Sequence, residues 1–365
     1  MSKKALSTVA TRHQVFLERL KTQTSAEFTS ILPNLEKAIR DVLFELQIDT
    51  LNDLSRRQLL KLLSDLRTAQ LQYVNKAKET LLGSLRGLAK YEVGFEARSL
   101  DAAIRAAGER WGINELSAKE AFAAVSEKPL SATGSLLEPF IDTWGQRHVA
   151  GVEAAVQRAW AEGRTIQQLT TEIRGTKKMN FRDGLMASSR RNAEAIARTS
   201  VQHVAQASRS ALWEANDDIV EGVQFVATLD SKTTQQCRSL DGKVFPLDSG
   251  PRPPLHINCR STTIPKLPKE LDFLDKGATR SSSEGYVDAK QTYYNWLQDQ
   301  PASFQDEALG ADRAKLFRDG GLSAEEFSSL NLDRNFQPLT LDQMAKLEPE
   351  AFKNAGLDDY LSPSD

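Results

Sequence analysis

Apolar residues recur three or four positions apart early in the chain, at Phe16, Leu20, Phe28, Leu32, Leu35, Ile39, Val42 and Leu46. That spacing stacks them on one stripe of a helix, and a stripe of this kind needs a partner to cover it. The pattern predicts several antiparallel helices over residues 13–128, with breaks near 49–54, 92–100 and 111–116. Pro33 falls where a helix starts or kinks. Ser55 to Gln58 and Ser117 to Glu120 have the spacing of a capping box, in which two side chains three apart satisfy free backbone N–H groups. After Pro129 and Ser131-Ala-Thr-Gly134, a second helical block runs from 136 to 216.

The period shortens at Gly222. Residues 222–228 alternate, and short pieces suited to a pleated surface recur at 243–245 and 261–264, with Asp241-Gly242 as a hairpin-turn signal between two of them. Gly277 to Gly285, rich in serine, reads as a flexible linker. Beyond it, capping boxes at Ser323 to Glu326 and Thr340 to Gln343 predict short helices. The expected fold is α+β and mostly α. A helical arm or bundle occupies 1–130, helices with a small β unit at 222–265 occupy 131–270, a linker spans 271–287, and a helical extension spans 288–365.

Composition narrows the function classes. The chain has 365 residues, 40% hydrophobic and 26% charged, which is the range of an ordinary folded protein. Lys plus Arg number 47 against 49 Asp plus Glu, a net charge of −2 that excludes a surface built throughout to coat nucleic acid. Cations concentrate locally: Arg174, Lys177, Lys178, Arg182, Arg190, Arg191, Arg198 and Arg209 stand against Asp183 and Glu194. Such a stretch can hold phosphates by displacing counterions, can meet an acidic surface, or can be a solvated helix face. The nucleic-acid candidates are Arg174, Lys177, Lys178, Arg182, Arg190 and Arg191. Phe181 is the one aromatic among them, so no base-reading groove is expected. No run reaches the roughly 20 apolar residues of a membrane span, and Met1-Ser-Lys-Lys is not followed by the apolar core of a signal peptide. Residues 341–365 carry six acids and two bases, which suits a protein partner better than DNA.

The two cysteines and one of four histidines gather in the proline-rich β region as Cys237, eighteen residues, His256, two residues, Cys259. Two thiolates and an imidazole suit tetrahedral zinc, with Asp230 the nearest upstream carboxylate to close the set. A second short ligand pair is missing. A hydrogen-bonded cluster without metal, a Cys237–Cys259 disulfide and a Cys–His nucleophilic pair remain open beside it.

Taken in order, Ala197-Arg198-Thr199, a helix to Trp213, Thr228-Leu-Asp230-Ser-Lys-Thr233, Cys237, Leu240-Asp-Gly242 and His256-Ile-Asn-Cys259-Arg260 resemble the head morphogenesis domain of tailed-bacteriophage minor head proteins of the Mu F-like family. The likeness is close over these residues and looser over 135–265. It carries the family's motif onto Arg198, Thr199, Asp230, Thr233, Cys237, Asp241, Gly242, His256, Cys259 and Arg260. Lys232, Ile257 and Ser261 stand where arginine, proline and a last cysteine are usual, which removes one metal ligand. Residues from Asp288 onward resemble, more weakly, a helical C-terminal extension of the same proteins.

The resemblance implies a non-enzymatic virion component, made in the host cytoplasm and placed inside the head near the portal vertex, which aids head assembly, DNA packaging or DNA ejection. Its implied partners are the portal protein, capsid or scaffold, and packaged DNA through non-specific phosphate contacts, with no membrane. A structural zinc is the one cofactor in question. Two rival classes stay in view: a metal-dependent hydrolase or nuclease built on Cys237, His256 and Cys259, and a sequence-independent DNA-binding accessory protein.

Overall fold

The computed structural model describes residues 6–361. Seven helices come first: α1 (Leu6–Thr29), α2 (Leu32–Phe44), α3 (Arg56–Ala106), α4 (Ala118–Glu127), α5 (Leu137–Ala161), α6 (Ile166–Arg174) and α7 (Leu185–Glu214). Next come β1 (Gly222–Val226), α8 (Gln235–Leu240), β2 (Val244–Phe245) and β3 (Thr262–Lys266), then β4 (Thr279–Ser282) and β5 (Gly285–Asp288). Six short helices follow: α9 (Tyr293–Gln298), α10 (Ala302–Leu309), α11 (Ala311–Asp319), α12 (Ala324–Leu330), α13 (Leu341–Leu347) and α14 (Pro349–Asn354). The fold is α+β, mostly α.

Two compact units divide the chain. One takes Leu17–Tyr91 and Ala118–Ala205; the other takes the residues up to Phe16, Glu92–Ser117 and everything from Gln206. These limits do not follow the sequence-order division at 130 and 270, because α1, α3 and α7 each continue through a dividing point.

The first unit is all helix. Pro33 stands in the first turn of α2, where its missing N–H has no intrahelical partner to lose, and Leu32, Leu35, Ile39 and Leu43 form the buried stripe. Trp144 of α5 fills the centre, its ring 4.8 Å from Phe28 and its indole N–H on Ser189. His148 lies one turn along α5, its Nδ1 2.9 Å from the Ser189 hydroxyl, and its buried Nε2 has no hydrogen-bond partner among the described residues. Burial lowers the pKa of His148 to about 4, and that of His203 of α7 likewise to about 4.

In the second unit three sequence expectations change. The break expected at 92–100 is absent, since α3 runs unbroken for 51 residues. Glu92 and Glu96, within that stretch, lie one turn apart and are buried in a polar network. Glu92 meets His13 at 2.8 Å and Arg209 at 3.5 Å, while Glu96 accepts the Trp213 indole N–H at 2.9 Å. Burial raises the Glu96 pKa above the carboxylate range, with Arg209 and Trp213 opposing it. Asp241-Gly242 is not a tight hairpin turn either. The chain between β1 and β2 makes α8 first, and Asp241 ends that helix. Gly242 then turns at φ +83, where a Cβ would also lie 2.9 Å from Thr292. The sheet order is β2-β1-β3, antiparallel throughout, with Val223 opposite Phe245 and Phe225 opposite Thr263.

The stretch read as a linker is the β4–β5 hairpin, in register from Thr279 opposite Asp288 to Ser282 opposite Gly285. It is fixed by Arg280, which is 4% exposed and ion-paired with Asp241. The C-terminal helices follow their caps: Ser323 and Thr340 each accept from the N–H three residues on, and Glu326 and Gln343 reach back. Tyr294, Phe317, Phe327 and Phe352 lie among the buried residues of a core formed by these helices.

Candidate metal centre

Cys237 sits in the first turn of α8, which Thr234 caps by accepting the Cys237 N–H. His256 and Cys259 come from the loop before β3. Asn258 takes φ +61 there, and the Cys259 N–H returns to the His256 carbonyl at 3.2 Å, so the chain folds back and brings both residues to Cys237. The Cys237 Sγ lies 3.4 Å from His256 Nε2 and 3.9 Å from Cys259 Sγ, and all three ligand atoms fall within 4.8 Å of one another. His256 Nδ1 is 3.0 Å from the Ile257 carbonyl; donating there assigns the proton to Nδ1 and turns the Nε2 lone pair to the sulfurs. Cys237 and Cys259 are not joined by a disulfide, so the disulfide reading does not describe this structure.

These separations fit zinc. Bonds of about 2.3 Å to sulfur and about 2.0–2.1 Å to nitrogen in a tetrahedron put its S–S edge near 3.8 Å and its S–N edge near 3.5 Å. The charge pattern also suits a cation. A hydrogen bond from Cys237, then His256, holds the Cys259 thiol well below its ordinary pKa. Cys237 is pushed up by its bond to Cys259 and by burial. Burial works against charging His256, but the hydrogen bond and charge of Cys259 outweigh it and raise the ring's pKa.

Asp230, the expected fourth ligand, is occupied elsewhere. Both its oxygens take the Arg260 guanidinium, and Oδ1 also accepts the Lys232 N–H and the Thr233 hydroxyl. Burial raises its pKa, but Arg260 and these donors prevail and lower it. Among the described residues no fourth Cys, His, Asp or Glu joins the three. Ser261, standing in place of the usual last cysteine, is 2% exposed and hydrogen-bonds the Cys237 side chain.

The other motif residues brace the fold. Thr233 donates to the Thr228 carbonyl at 2.6 Å. Asp241 accepts the N–H of Ala227 at 2.7 Å and that of Tyr293 at 2.6 Å, besides both Arg280 nitrogens. Arg198 pairs with Glu18 at 2.8 Å, and Thr199 is fully buried in α7.

The basic stretch does not stay together. Arg209 is 2% exposed and belongs to the Glu92 network, which removes it from any surface. Arg174, Arg182, Arg190 and Arg191 line one cleft, and Lys177 and Lys178 are exposed but outside its lining. Sequence reasoning missed Arg280 and the Glu92–Arg209 network. Glu92/Glu96 and Arg209/Trp213, each pair four residues apart on a helix, were the available signal for the network.

With this geometry in place, comparison with known families is decisive for residues 150–264, which match the family described as Phage Mu protein F like protein. Over this segment the chain is similar to Mu F-like phage proteins. The match supports a connection with phage head morphogenesis. The matched segment contains Cys237, His256, Cys259 and the Asp230–Arg260 pair, but stops short of Arg280. No curated protein and no solved structure gives a significant match. Among the described residues no helix is long and apolar enough to cross a membrane.

Proposed function

We propose that this Mu F-like chain is a minor structural component of the phage head, seated inside the shell beside the portal, where it aids assembly and DNA packaging or ejection. The observation that supports a holding role over a reactive one is how its motif residues are used. Asp230 is held by Arg260, Asp241 by Arg280 and two backbone N–H groups, and Thr233 by the Thr228 carbonyl. Both motif carboxylates, Asp230 and Asp241, are thus tied to a neighbouring arginine in the fold. The test is co-purification from assembling particles: the tagged chain should bring down portal rings from procapsids lacking DNA. Recovery with free shell protein alone would refute the portal assignment.

We further propose that Cys237, His256 and Cys259 hold a structural zinc, which would supply a cross-link between α8 and the loop before β3 and so restrain the β unit. The purified chain should then carry about one zinc, and Cys259→Ser should lose it. Chelation should lower the melting temperature with no nuclease activity present before or after. Activity that disappears with the metal would instead establish the hydrolase alternative. A metal-free protein with an unchanged melt on added zinc would leave the three side chains as a hydrogen-bonded cluster.

A further inference from the structure

The loop joining α6 to α7, residues 175–184, is pinned where it begins and ends. Asp183 accepts the Thr176 N–H at 2.8 Å and its hydroxyl at 2.7 Å, and a Cβ on Gly184 would lie 2.3 Å from the Gly175 nitrogen. Between those points Asn180 and Phe181 both take left-handed backbone, at φ +50 and +59, a conformation a bulky residue adopts only when its surroundings impose it. The outcome is an aromatic ring held 39% exposed, with the Arg174 guanidinium 4.7 Å from its centroid. Beside it opens a cleft of about 550 Å³ between this loop, the start of α2 and the first turns of α7.

Its lining combines two chemistries. Pro33 and Phe181 supply exposed apolar surface, with Leu32 and Met186 lining it from buried positions, and Arg174, Arg182, Arg190 and Arg191 supply charge. Arg174 pairs with Glu36 at 3.4 Å; Arg182, Arg190 and Arg191 are exposed and have no carboxylate partner among the described residues.

We propose that this cleft docks an acidic peptide segment of a partner protein, one that carries a bulky apolar side chain flanked by carboxylates. Charge complementarity selects an anion, since three unpaired arginines face one paired glutamate, and guanidinium forks grip carboxylates in pairs. The apolar lining then selects between anions. A DNA backbone needs cations alone and would leave the exposed Pro33 and Phe181 against water, whereas a peptide anchor covers them. The cleft's volume suits one such anchor, and the pinned loop lowers the ordering cost of binding. This inference goes beyond the portal assignment and stands without it.

A displayed random dodecapeptide library selected on the full chain tests it. Winning peptides should be rich in Asp and Glu around a Leu, Phe, Tyr or Trp. A synthetic winner should bind about tenfold or more weakly when its apolar residue becomes Ser, and likewise to the Arg190→Ala/Arg191→Ala and Phe181→Ser variants, whose melting temperatures serve as the folding control. The proposal fails if no acidic consensus emerges, or if winners bind all variants equally. It also fails if a fluorescent DNA duplex binds the chain at about 0.15 M salt, loses that binding in the arginine double variant and keeps it in Phe181→Ser, because the cleft is then a phosphate contact.

Discussion

Acidification from pH 7 to pH 4 is expected to strip about 3 kcal/mol of stability for each of two buried histidines, His148 and His203. In the fold both rings stay neutral down to about 4, because burial disfavours the imidazolium. In the unfolded chain an imidazole takes its proton near pH 6.5. Between those values the unfolded state binds more protons, so stability is complete above about 6.5 and drains away as pH falls towards 4. The loss belongs to the helical unit of Leu17–Tyr91 and Ala118–Ala205, which contains both residues. Melts followed by circular dichroism across this range should show a steep decline in the wild type and a shallower one in His148→Gln and His203→Gln. A melting temperature that stays flat from pH 7 to 4.5 would sink the idea, as would variants that keep the wild-type slope. The Asp230–Arg260 pair gives a separate signature at lower pH. Its carboxyl is held below the ordinary range, so its contribution persists above that range and is lost only as pH falls through its own lowered pKa.

Arg280→Met should cost about 3–5 kcal/mol, the usual penalty for removing one partner of a buried ion pair. The Asp241 carboxylate is fully buried, and losing Arg280 would leave it two backbone N–H donors but no cation. The effect should reach beyond the hairpin, since the same carboxylate fixes the first residue of α9. Adding Asp241→Asn to Arg280→Met should recover part of the loss by removing the stranded charge while keeping one acceptor oxygen, for either Ala227 or Tyr293. A measured loss under about 1 kcal/mol, with unchanged hydrogen exchange at residues 279–288, would mean the pair is open to water.

The helices were legible because their signals are local. Apolar spacing located α2, and capping pairs located α12 and α13, each of which a short window of sequence can show. The Cys237–His256–Cys259 cluster was legible through residue rarity, since two cysteines and a histidine in a proline-stiffened stretch have few other reasons to be together. The misreadings share one physical cause. A break was expected across Glu92 and Glu96 and a linker across Arg280, yet each of these charged side chains is buried against a partner distant in the chain. A local window can show that two such residues share a helix face, as Glu92 and Glu96 do, but not which distant partner neutralises them. The same applies to Asp230, whose place as a ligand seemed open until Arg260, thirty residues on, closed it.

The bond between Asp241 and Arg280 also bears on how such a chain can be divided. The family's segment ends at residue 264, yet the carboxylate at its heart draws its counter-ion from residue 280 and one of its donors from residue 293. Here the shared module is not autonomous: its charge balance is completed by sequence outside its own limits, so recombination that exchanged the segment alone would carry away an acid and leave its base behind.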